Sequence, residues 1–331
     1  NTVTYSNAGD GAKAVTGVGF QPDWVWLKNR SSAYHHQLFD AVRGATSGVL
    51  YSSTNSAVDT GHPLTSFDSD GFTTGSQSSN EGQNSASQVA WNWKANGAGS
   101  SNTDGDVTST VSANTTARFS IVKWTGTGSG SIGVGHGLGV TPKIVIVKNL
   151  NGTLIDWHFY NTILDNSLDI LYLNTTGAKA DSGASLPTNS VFNTISVTNN
   201  ANDYIAYCFA EKKGYSKFGS YSGNADADGP FIYTGFKPAF VILKSINNGG
   251  WHWRLMDTVR DNNRNDGTNN LLFPNHQNAE VTNELDIDYL SNGFKIRDAR
   301  TGINGSGWTV MYMAFAKNPI VGSNDVPATA I

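Results

Sequence analysis

A chain of 331 residues carrying 22 basic and 26 acidic side chains has a formal net charge of −4, and its length suits two or three domains of about 100 to 150 residues each. Charged residues make up 15% against the roughly 25% usual in soluble domains, and no basic run exceeds Lys212-Lys213, which argues against nucleic acid as a partner. No stretch reaches the ~18 apolar residues of a membrane span, and a lone cysteine, Cys208, excludes an intrachain disulfide.

Solvation falls instead to Ser, Thr, Asn and 36 glycines, and only Glu81, Glu211, Glu280 and Glu284 among the acids are glutamate. Gly, Asn and Asp suit turns and are poor in helix interiors, so composition favours an all-β chain. The chain opens at Asn1 with neither an initiator Met nor a signal peptide, so it is expected to be trimmed, processed or seen in part.

Taken in order, the elements repeat. Copy one has an opening strand at Tyr5-Ser6, then Gly19-Phe20-Gln21-Pro22 leading into Asp23-Trp24-Val25-Trp26-Leu27-Lys28. A turn, a Pro that cannot donate to a sheet and an aromatic, β-branched run announce a buried strand. Tyr34-His35-His36-Gln37-Leu38-Phe39-Asp40-Ala41-Val42-Arg43 follows, then Val49-Leu50-Tyr51, a hairpin signal at Asp70-Gly71-Phe72 and an alternating strand, Gln88-Val89-Ala90-Trp91-Asn92-Trp93.

Residues 98–116, rich in Ser, Thr, Asn and Asp, read as a linker. Copy two reuses the plan with Trp124-Thr125-Gly126, Thr141-Pro142-Lys143-Ile144-Val145-Ile146-Val147-Lys148, Trp157-His158-Phe159-Tyr160-Asn161, Ile170-Leu171-Tyr172-Leu173 and a closing strand over residues 204–209. Copy three has Tyr221-Ser222-Gly223, Phe236-Lys237-Pro238-Ala239-Phe240-Val241-Ile242-Leu243-Lys244, Trp251-His252-Trp253-Arg254-Leu255-Met256-Asp257-Thr258-Val259-Arg260, Leu271-Leu272-Phe273, Asn292-Gly293-Phe294 and a closing strand over residues 308–315. The expected organisation is three tandem, separately cored β-sandwich, jelly-roll-like domains at 1–97, 117–212 and 213–319, with a C-terminal tail at 320–331. Jelly-roll and immunoglobulin-like topologies both stay open.

The chemical candidates are few. Gly128-Ser129-Gly130-Ser131-Ile132-Gly133 matches the dinucleotide fingerprint in spacing, but that motif needs a helix directly after it, and Gly135, Gly137, Gly139 and Pro142 forbid one. No cofactor is expected. Asp40 and Asp257 each stand three residues before an arginine, Arg43 and Arg260, and read as structural turn contacts. A glycosidase would need two acids roughly 5 to 10 Å apart; these lie in separate copies, and copy two carries Asn161. Of seven histidines only His35, His36 and His252 repeat in placement, without the further ligands a metal site wants. Asp68-Ser69-Asp70-Gly71 and Asp226-Ala227-Asp228-Gly229 resemble calcium loops but lack the later acidic ligand, which favours turns. Cys208, inside an apolar run, reads as a small buried hydrophobe. The aromatic blocks make Tyr34, His36, Trp157, Trp251 and Trp253 candidates for a ligand or interface surface, with packing in cores or between copies as the competing role.

Gly19-Phe20-Gln21-Pro22-Asp23-Trp24-Val25-Trp26-Leu27-Lys28-Asn29-Arg30, Leu38-Phe39-Asp40-Ala41-Val42-Arg43-Gly44, Ser69-Asp70-Gly71-Phe72 and Val89-Ala90-Trp91-Asn92-Trp93-Lys94 resemble a repeat domain common in virion proteins of tailed phages, especially those of marine bacteria. The end, Phe315-Ala316-Lys317-Asn318-Pro319 through residue 330, resembles the same family, with Ile331 where a basic residue is usual. The resemblance implies a non-enzymatic structural protein on an exposed part of the virion, a tail fibre or a capsid or tail appendage, with host-surface polysaccharide recognition. Its partners would be other virion proteins and itself, as a homo-oligomer such as a trimer; long apolar strands at residues 25–27 and 144–147 on a weakly charged chain support self-association. The alternatives are a secreted bacterial array of carbohydrate-binding modules, with an extracellular location, and, more weakly, a polysaccharide-degrading enzyme.

Overall fold

The computed structural model describes residues 1–6, 11–75, 86–152, 154–165, 167–261 and 268–316, so the tail at 320–331 lies outside the described residues. Among them the chain is all-β, with helical structure confined to the short 3-10 turns Ala45–Ser47 and Ser196–Asn199.

The repeated blocks form three antiparallel sheets of one strand order. In copy one the order is Thr2–Ser6, Ser87–Trp93, Trp24–Asn29, Gln37–Asp40, Leu50–Tyr51. Copy two repeats it with Phe119–Thr125, Asp203–Phe209, Ile144–Asn149, His158–Asn161 and Asp169–Tyr172. Copy three has Ser216–Ser222, Thr309–Ala316, Pro238–Ser245 and Arg254–Asp257, with a bridge from Leu255 to Leu272 in the fifth place. The segment expected as linker contains two strands. Ser109–Asn114 pairs with Phe119–Thr125, and Ser100–Asn102 adds outside it. Its polar composition suits an edge strand as well as a linker, and only the pairing distinguishes them.

Each main sheet faces a smaller one. Copy one has Ala14–Val15, Gly71–Thr73 and Ser66–Asp68; copy two has Gly133–Gly135 and Val191–Asn193; copy three has Phe231–Tyr233, Gly293–Ile296 and Ile287–Leu290. Gly71 and Gly293 admit close backbone approach here: a Cβ would fall 1.8 Å from the Val15 carbonyl oxygen and 2.0 Å from that of Ile232.

Side-chain alternation sorts the central strands between two cores. Val25 and Leu27, Val145 and Val147, and Val241 and Leu243 enter three outer cores, one per copy. Trp24 and Trp26, Ile144 and Ile146, and Phe240 and Ile242 enter one shared core. Trp91 and Trp93, Tyr207 and Phe209, and Met313 and Phe315 join them from the closing strands. Strands buried on both faces need apolar residues at every position, which is why these runs are unbroken. The outer cores are separate, whereas the central one belongs to all three copies.

The copies close into a ring. Val58 N–H donates to the Leu150 carbonyl at 3.2 Å, Lys179 N–H to that of Ile246 at 2.7 Å, and Glu280 N–H to that of Arg30 at 2.9 Å. These are one contact made three times, one to two, two to three and three to one. The third joins the two copies that are not consecutive in the chain.

Candidate functional site

Residues at equivalent positions of the three copies meet at the seams of this ring. Because Asp40, Asn161 and Asp257 hold the same register position against the strands at Trp24, Ile144 and Phe240, His36, Trp157 and Trp253 are equivalent. Trp157 Nε1–H donates to the Tyr51 carbonyl of copy one at 2.9 Å, and Trp253 Nε1–H to the Tyr172 carbonyl of copy two at 3.1 Å. At the third seam His36 Nδ1 accepts from Trp26 Nε1–H at 2.9 Å. Its Nε2 has no partner within strict hydrogen-bond geometry, and the Phe273 carbonyl of copy three is the backbone acceptor facing it. Burial, then Lys28 and Arg260, hold this imidazole well below its ordinary pKa, so the ring is neutral.

His36, Trp157 and Trp253 are fully buried, which removes them as ligand-facing side chains and makes them contacts between copies. They precede their strands, which begin at Gln37, His158 and Arg254. Trp251 is half-buried against Trp308 at 5.7 Å, and Tyr34 is half-buried in a loop.

The Asp–Arg pairs are structural turn contacts that also reach across seams. Asp40 accepts from Arg43 N–H at 2.8 Å and Arg43 Nε–H at 2.5 Å, while the guanidinium also donates to the Leu38 carbonyl. Tyr207 O–H of copy two donates to Asp40 at 3.0 Å. Asp257 accepts from Arg260 N–H at 2.9 Å and Nε–H at 2.5 Å, and from Trp91 Nε1–H of copy one at 3.0 Å. Arg260 also lies over the Trp91 ring and donates to Glu280, which binds Arg30 at the same seam. Both carboxylates are enclosed and saturated by donors.

Three buried lysines were legible in the sequence only as strand ends. Lys148 Nζ donates to the Asn55 carbonyl of copy one and to Ile155; Lys244 Nζ donates to the Thr176 carbonyl of copy two and to Trp251. Lys28 Nζ donates to Asn29 and Ser32, with Glu280 of copy three acting on its charge. Burial lowers their pKa values to about 7 for Lys28 and about 8 for Lys148 and Lys244. Repetition of a cation directly after a doubly buried apolar run was the available signal, since a buried lysine needs acceptors.

Elsewhere Asp70 accepts from Gly17 and Gly19 N–H, and Asp226 accepts from Asp228 N–H, the turn roles expected of both loops. Cys208 is buried, which pushes its thiol pKa up. Strand Gly133–Gly135 ends the glycine-rich motif. In copy three Arg254 and Arg300 bridge Asp286, Asp298 and Glu284, and burial raises the Asp286 pKa to about 7. The outermost aromatic side chains are Phe231 and Tyr233, 46% and 65% exposed, which sequence reading did not single out.

A family model described as Domain of unknown function (DUF7483) matches residues 1–319, a single span across all three copies. No curated protein and no solved structure matches the chain.

Proposed function

The chain belongs to the family described as Domain of unknown function (DUF7483), and we propose that it is a non-enzymatic structural protein of a virion exterior, a tail fibre or an exposed capsid or tail appendage with host-surface glycan recognition. Its three sandwiches are read in this proposal as jelly-roll-like repeats. The observation carrying the proposal is where the repeated chemistry goes. The Asp–Arg pairs and the tryptophans that repeat are consumed in joining copies, so what recurs along this chain is mutual support. A body braced at three seams suits a part that bears load, and the resemblance to phage virion repeat domains supplies the location. Antibody against this chain, applied to intact purified particles, should label their outside; unlabelled particles that contain the chain on disruption would place it within and end the proposal.

A further inference from the structure

The outer sheets of the three copies can be compared position by position. Val15, Val134 and Ile232 pair with Phe72, Phe192 and Phe294 and point into their outer cores. Their neighbours on either side point outward: Ala14 and Thr16 in copy one, Gly133 and Gly135 in copy two, Phe231 and Tyr233 in copy three. In copy two this face is covered by the chain itself. A Cβ at Gly135 would fall 1.8 Å from Asn102 Oδ1, and Gly133 N–H donates to Asp106. In copy one the face is left to small side chains that are exposed. The fold therefore needs no aromatic residue here, yet copy three places two, 46% and 65% exposed.

Phe231 and Tyr233 stand one strand repeat apart, about 7 Å, on the same face. Phe231 reaches over Gly293, where a Cβ would meet its ring at 3.0 Å, so the glycine keeps the surface beside the ring flat. Hydrogen-bonding groups rim the pair: Lys295, opposite Phe231, binds Asp228 at 2.8 Å, and Arg297 binds Asp288 at 3.2 Å. Two cations matched by two carboxylates leave this rim without net charge. We infer that Phe231 and Tyr233 form a stacking platform for a neutral polysaccharide, whose sugar faces lie on the rings while Lys295, Arg297 and Asp228 bond its hydroxyls and Asp288, mostly buried, balances the Arg297 charge. Flat apolar faces edged by donors and acceptors match a sugar ring's two chemistries, and an uncharged chain suits the balanced rim. The inference deepens the proposed function and rests on it only for the source of the glycan.

The test uses the purified full chain in affinity gel electrophoresis, with a soluble β-glucan, a galactan and a mannan cast separately into the gels, beside phosphatidylcholine vesicles. At least one polysaccharide should retard the wild type. Phe231→Ala and Tyr233→Ala should each weaken binding by up to about tenfold with unchanged melting temperature, while Thr16→Ala, at the equivalent place in copy one, should change nothing. Retardation that survives both aromatic substitutions would overturn the site yet leave glycan recognition standing. No retardation by any polysaccharide, or binding to vesicles alone, would overturn both; particle labelling decides virion location separately.

Discussion

The seam between copies three and one and the seam between copies two and three have the same geometry and opposite chemistry. At the first, Asp257 is held by Arg260 and receives Trp91 Nε1–H from the neighbouring copy. At the second, Asn161 stands in the place of the aspartate and Leu164 in that of the arginine. The closing-strand position that provides Trp91 and Tyr207 elsewhere is occupied there by Met313. Carboxylate, guanidinium and donor are thus present together at two seams and absent together at the third. A charge buried between copies is tolerable only with its whole set of partners, so the set is kept or dropped as a unit.

The largest expected effect follows from breaking that unit. Asp257→Ala leaves Arg260 enclosed without its principal partner and should cost about 3–5 kcal/mol in urea unfolding. Asn161→Ala removes only a neutral amide and should cost about 1–3 kcal/mol. Replacing the set together, Asp257→Asn with Arg260→Leu and Trp91→Met, should cost less than the sum of the three single changes, because each later change meets a group already released. Strict additivity would show that the seams do not couple these residues.

A smaller effect separates the seams by acid. Two carry tryptophan where the third carries His36, whose pKa is held well below its ordinary value by burial first and by Lys28 and Arg260 after it. The unfolded chain then binds the proton more readily than the folded one. The stability from His36 is complete above about pH 6.5 and is lost as pH falls below it, with a slope approaching 1.4 kcal/mol per pH unit, roughly the value of one pKa unit. His35, His136, His158 and His252 are lowered too and act in the same direction, while buried Asp286, raised to about 7, acts against them. The measurement is therefore the difference between wild type and His36→Phe in urea midpoint from pH 7.5 to 5. His36→Phe should flatten the fall; parallel curves would remove His36 as the acid-sensitive contact.

Strands, repeats and turns were legible because alternation, Pro placement and Asp-Gly or Asn-Gly pairs act within a few residues. Asp40, Arg43, Asp257 and Arg260 were legible as turn contacts for the same reason. Their second role was not, because Tyr207 and Trp91 reach them from 167 and 166 residues away. The continuous apolar runs at residues 25–27 and 144–147 signalled a surface to be buried, but not what buries it; the structure encloses both within the chain, between an outer core and the shared one. Trp157 and Trp253 looked the same in sequence as aromatic residues that meet a ligand. Only the closed ring distinguishes them from Phe231 and Tyr233, which carry no periodic signal because their counterparts are Ala14, Thr16, Gly133 and Gly135.

The smallest effect belongs to what all three copies share. Lys28, Lys148 and Lys244 stand next to last in their strands, and burial lowers them to about 7, 8 and 8 from an ordinary value near 10.5. Between those values and 10.5 the unfolded chain binds more protons than the folded one, so stability should rise with pH across that window. The rise is best read from pH 8 to 9, because Cys208 above about pH 9 and Tyr160 above about pH 10, whose pKa values burial raises, oppose it. Lys148→Met removes one titration, and the climb in urea midpoint from pH 8 to 9 should shrink by roughly a third if the three lysines contribute alike. Lys244→Met should do the same at the neighbouring seam. An undiminished climb in both variants would mean that these ammonium groups keep their ordinary proton affinity, and that the carbonyls of Asn55, Ile155, Thr176 and Trp251 fully replace the water the lysines lose.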